Sequence, residues 1–157
     1  MNGWLIPSRP NDVDGESTAW YASYWQLCAV YFRERFKTQW CLSSEQSLSL
    51  HAGNRTVPKQ LVVRAPKGRN KVTDLPHGTS PLDLRAALPQ RQDRQAVEDL
   101  PVFSPESSLI EASVHFSSSN AIDVRALLLT IRDAWERSRL SDWLMSSLRS
   151  GTATNYA

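Results

Sequence analysis

The chain predicts an α+β fold: a small mixed β-sheet packed against a long aromatic helix, with a group of C-terminal helices. Three observations carry this. An aromatic-rich segment from Ser17 to Phe36 repeats its bulky residues at helical spacing. A compact β-branched run, Leu61-Val62-Val63, stands between Pro58 and Pro66. Beyond Ser104 the pattern turns wholly helical, with apolar residues at i, i+3, i+4 and i+7.

Each element has a local cause. The opening NGWLIPSRP reads as a short apolar strand halted by Pro7 and Pro10, followed by an acidic, Gly-containing loop from Asn11 to Ser17. Ser17 or Thr18 then caps a helix to about Phe36. Trp20, Tyr24, Leu27, Cys28 and Tyr31 form its apolar stripe, which Tyr21, Trp25, Phe32 and Phe36 widen. Arg33, Arg35 and Lys37 complement the carbonyl end of that helix. A stripe of this kind is expected in the core, because base-stacking aromatics normally lie on exposed sheets and loops.

Ser43 and Gln46 have the spacing of a capping box, and they open a short helix that Gly53 closes in the left-handed conformation. The strand within Lys59–Ala65 is kept short by its flanking prolines. From Gly68 to Pro89 the chain reads as loop, with at most one further strand around Leu82 to Leu88. Gln90 to Asp99 is charged and Gln-rich, the composition of a solvated loop or hairpin tip. A strand at Leu100–Phe103 precedes Ser104-Pro105-Glu106, where an N-cap, a proline at the first helical position and an early acid start a helix. Leu109, Ile110 and Ala112 are its expected buried face. Asn120 and Asp123 open an amphipathic helix carrying Val124, Leu127, Leu128, Ile131 and Trp135. A separate last helix is expected from Ser141, bearing Trp143, Leu144 and Leu148, and ending at Gly151.

At 157 residues and 41% apolar, the chain is long enough for one domain with a sizeable core. Residues 11–150 are the expected domain, 1–10 a separate strand and 151–157 a tail. Cys28 and Cys41 lack metal or redox spacing and read as reduced, buried thiols of a cytoplasmic protein. No apolar run approaches the ~18 residues of a membrane span. His51, His77 and His115 lie on separate segments, and no phosphate-loop, dinucleotide or zinc-protease motif occurs. The sequence therefore points to no enzyme activity, no cofactor and no metal. Cys41 with a distant His, and Asp74 with Asp83, are formal catalytic pairs. Nothing near Cys41 lowers its pKa, and acids beside Pro and Gly commonly cap turns.

Charge is the strongest anomaly. The net charge is only +2, yet Arg55, Lys59, Arg64, Lys67, Arg69 and Lys71, six of eighteen Lys and Arg, fall in one window without an acid between Glu45 and Asp74. These six are the candidate contacts for an anionic partner, acting on phosphate or carboxylate without base readout. The Lys67-Gly68-Arg69-Asn70 turn can also offer backbone N–H groups to an anion.

The order of CLSSEQSLSLHAG, NRTVPKQLVVRAPKG and LPVFSPESSLIEAS resembles the AbiEi-type antitoxin and transcriptional regulator family, and the AbiEi-like N-terminal region of bacterial Fic (cell filamentation) proteins. Ser44 to Leu50, Pro58 to Gly68 and Ser104 to Leu109 carry the resemblance, which covers about Trp4 to Leu148. It implies a cytoplasmic module of a bacterial toxin–antitoxin system whose partner is a cognate toxin, a Fic-type protein or DNA. It also implies that NGWLIPSRP is the last wing strand of a winged helix whose recognition helix precedes Met1. The Fic catalytic signature and the nucleotidyltransferase pattern of the cognate toxin are both missing, so neither AMP nor nucleotide transfer is expected. The alternatives are a protein-interaction domain regulating a Fic-type enzyme, and a remnant of a longer protein with little independent function.

Overall fold

The computed structural model describes the backbone of residues 17–152, and side chains there except at 143 and 147–152. The expected wing strand at residues 1–10 lies outside the described residues. Helix α1 (Ser17–Phe36) leads to a two-residue strand β1 (Cys41–Leu42), helix α2 (Ser44–His51) and strand β2 (Gln60–Ala65). Strands β3 (Lys71–Val72), β4 (Ser80–Arg85), β5 (Arg94–Val97) and β6 (Leu100–Phe103) follow, then helices α3 (Pro105–Glu111), α4 (Val114–Ser119) and α5 (Ala121–Thr152).

The main sheet has the order β1-β2-β4-β3, and β5 with β6 forms a separate hairpin. β1 and β3 run antiparallel to their neighbours, whereas β2 and β4 are parallel, so the sheet is mixed. A parallel pair needs a crossover of a dozen or more residues, which residues 66–79 supply. The expected α+β class is therefore the one found.

Register decides which side chains meet α1. Leu61 stands opposite Pro81 and Val63 opposite Asp83. Strand alternation puts these four, with Ala65, on one face. Leu61, Val63 and Ala65 share a buried cluster with Trp20, Tyr24, Cys28, Phe32 and Phe36 of α1. The aromatic stripe is core, as its spacing predicts. Phe32 stacks on Phe36 with ring centres 6.1 Å apart and leans on Trp40 at 5.3 Å.

Helix α2 closes the end of β6. The Ser47 hydroxyl accepts the Phe103 N–H at 3.0 Å, and His51 Nε2 lies 2.7 Å from the Phe103 carbonyl. These side chains satisfy the Phe103 backbone groups, on the strand whose other edge pairs with Arg94 of β5. Ser43 caps α2 by accepting the Gln46 N–H, Gly53 follows with φ of +84°, and Ser104 caps α3 by accepting the Ser107 N–H.

Four sequence expectations are corrected. The second strand of the long loop begins at Ser80, ends at Arg85 and is a full parallel partner of β2, while Lys71–Val72 adds an edge. Gln90–Asp99 contains strand β5 as well as the hairpin tip. The α3 face expected in the core is only partly there: Leu109 and Ala112 are half-buried, Ile110 is 82% exposed, and the fully buried residue is Ser108. Helix α5 continues through Ser141 without a break, because no Pro or Gly between Ala121 and Arg149 stops it. Along it Leu127 is buried, whereas Leu128 and Trp135 are exposed.

Truncating Phe32 to Ala should cost about 3–5 kcal/mol, because its ring is nearly inaccessible and packs against three other rings. Urea unfolding followed by tryptophan fluorescence measures this.

Candidate anionic-partner site

The six cations that are neighbours in sequence separate into four places in space. Arg55 pairs with Glu98 at 3.2 Å, and its carbonyl accepts the Trp25 indole N–H at 3.1 Å. Arg64 lies 5.1 Å from the centre of the Phe103 ring and 4.0 Å from Glu111. Both therefore join elements of the fold: Arg55 holds the hairpin tip, and Arg64 links β2 to α3. Lys59 precedes the first residue of β2, at the opposite end of the strand from the others. Lys67, Arg69 and Lys71 remain together, exposed in and beside the loop that leaves β2.

The structure adds a residue that the sequence window left out. Arg85 ends β4 directly opposite Ala65, the end of β2. Its Nε donates to the Gly68 carbonyl at 2.9 Å, placing the guanidinium beside the loop. Among the described residues, Lys67, Arg69, Lys71 and Arg85 form no ion pair with an acid. The parallel register that brings Arg85 here joins residues some twenty positions apart, so a window of consecutive residues could not find it.

The loop is held close to the sheet. A Cβ on Gly68 would lie 2.7 Å from the backbone carbonyl of Leu84 and 2.8 Å from the Arg85 nitrogen. Glycine is thus needed for close approach. The backbone N–H groups expected to receive an external anion are already occupied by an internal one. Arg69 N–H at 3.2 Å and Lys71 N–H at 2.8 Å both donate to Asp83 Oδ1. Asp83 is buried in β4 and its other oxygen pairs with Arg35 of α1. This acid belongs to a strand, pairs with Arg35 and holds a loop.

The two cysteines are separate and buried. Burial pushes each thiol up from 9.0 to about 12, and for Cys41 the nearby Arg94 and Arg64 oppose that rise only in part. A thiol so protonated is a poor nucleophile at neutral pH. Cys28 also borders a cavity of about 40 Å³ lined by Leu27, Thr73, Leu75 and Pro81. That space holds about one water molecule. Among the described residues no group of three His, Cys, Asp or Glu is placed to hold a metal ion, and no helix is long and apolar enough to cross a membrane.

Replacing Gly68 with Ala should destabilise the protein by about 1–3 kcal/mol, as overpacking against backbone does; thermal unfolding reads this out. Cys28 and Cys41 should resist iodoacetamide at pH 8 in the folded chain and react after unfolding in urea. The unfolded chain loses its thiol protons near 9 and the folded chain near 12. The stability carried by the neutral thiols is thus complete below about pH 9 and declines as pH rises towards 12. Denaturant midpoints across that range measure the loss.

No family model, curated protein or solved structure shows a significant match to this chain. Its functional reading rests on the residues and geometry above.

Proposed function

We propose that this chain is a non-catalytic regulatory module of the antitoxin type, which contacts the phosphate backbone of a nucleic acid through Lys67, Arg69, Lys71 and Arg85. One observation carries the reading. These four cations gather at the carboxyl ends of β2 and β4 with no acid partner among the described residues, while Arg55 and Arg64 are used up in pairs. The contact is electrostatic and positioning, without base readout. The resemblance of Ser44–Leu50, Pro58–Gly68 and Ser104–Leu109 to the AbiEi-type family supplies the regulatory setting.

A second reading, a protein partner such as a cognate toxin or a Fic-type enzyme, is favoured by a different surface. Helix α5 exposes Leu128, Leu129, Trp135, Leu140 and Leu144, more apolar surface than a solvated helix normally carries.

Binding to a fluorescent duplex across a salt series tests the first reading. Each phosphate neutralised contributes about −0.9 to the slope of log K against log salt, so four contacts give a slope near −3.6. Replacing Lys67, Arg69 and Lys71 together with Glu should abolish most of that slope and weaken binding at least about tenfold. An unchanged affinity and slope would sink the nucleic-acid reading. Co-purification with a toxin that survives the triple replacement supports the protein-partner reading instead.

A further inference from the structure

The basic loop is more firmly built than exposure of three charges requires. Arg69 N–H and Lys71 N–H donate to Asp83 Oδ1, and Asn70 N–H donates to the Asp83 carbonyl at 2.8 Å. In return, Arg85 N–H donates to Asn70 Oδ1 at 2.7 Å and Arg85 Nε–H to the Gly68 carbonyl at 2.9 Å. Asn70 itself stands at φ +55°, a conformation that asparagine tolerates better than most residues. Apart from the Gly68 N–H, which donates to the Ala65 carbonyl at 2.9 Å, these polar contacts of residues 68–71 are made with residues 83–85.

Electrostatics explains why an acid sits at the centre. Lys67, Arg69, Lys71 and Arg85 repel one another, and a free loop would relax by spreading them apart. A carboxylate beneath the loop opposes that spreading through its hold on the backbone. Asp83 is only 1% exposed, so its charge must be compensated. Arg35, rising from the last turn of α1, supplies the compensation. Because Arg35 cancels Asp83 internally, the outer surface keeps the charge of all four cations.

We infer that Asp83 is the positioning residue of this cationic surface: an internal anion, neutralised by Arg35, that pre-forms the loop for an external one. The inference rests on reading the loop as a contact surface. Pre-forming the loop removes an ordering cost from binding. It also ties the geometry of the surface to the packing of α1 on the sheet, through a single ion pair.

The test is the double variant Arg35→Met with Asp83→Ala. It removes both buried charges together, leaving neither unpaired, and leaves all four surface cations in place. Amide hydrogen exchange is read at Arg69 and Lys71, with β2 amides as the reference for an intact fold. Exchange at the two loop amides should quicken at least about tenfold while β2 changes by less than about twofold. Duplex affinity should fall about threefold to tenfold although no contact cation is lost. Unchanged exchange at Arg69 and Lys71 overturns the inference, as does faster exchange with unchanged affinity. Wild-type protein gives an arm that needs no variant to fold: Arg69 and Lys71 should exchange more slowly than Lys67, and equal rates also overturn the inference. Should the wild type bind no duplex at any salt, the nucleic-acid reading fails, and the exchange rates alone still decide whether Asp83 orders the loop.

Discussion

Burial of the aromatic face of α1 against β2 is the interaction on which the rest of the structure depends. Trp20, Tyr24, Phe32 and Phe36 meet Leu61, Val63 and Ala65 in one cluster. Large aromatic side chains each bury roughly 150–250 Å², so a few of them dominate the hydrophobic driving force of so small a sheet. Because β2 is the central strand that α1 covers, its register sets that of β1 and β4 on either side. The position of the basic loop follows, since the loop begins where β2 stops.

At the edge of that core the packing changes character. Opposite Val63 the sheet offers Asp83, a buried charge beside the largely apolar inner face of α1. Such a group is expensive to bury, and breaking a buried pair by removing one partner typically costs about 3–5 kcal/mol. Arg35 of α1 pairs with it and two loop N–H groups donate to it, so one carboxylate joins β4, α1 and the loop. A buried ion pair is weak evidence for added stability. Its consequence here is geometric: it fixes where the loop backbone lies relative to α1.

The charged window was only partly legible as a site. Its lack of acids was real in sequence, but acids distant in sequence reach two of its members: Glu98 from the hairpin tip meets Arg55, and Glu111 from α3 meets Arg64. Linear charge density overstates a patch whenever the fold returns opposite charge from elsewhere. It understated this one at Arg85, which joins through the parallel register. Asp83 falls inside the possible strand around Leu82 to Leu88, yet its burial there is not legible in sequence, because it depends on a partner, Arg35, from a distant helix.

Local rules did determine much. The aromatic spacing of α1, the capping serines Ser43 and Ser104, the left-handed Gly53 and the β-branched β2 were all readable, because each depends on residues within a turn or two of itself. Tertiary structure alone decided the pairing of β4 with β2, the exposure of Ile110 and the sorting of cations into structural pairs and open surface. These depend on groups brought together from distant parts of the chain. A window of neighbouring residues carries the propensity to form an element, but not the identity of what that element will face.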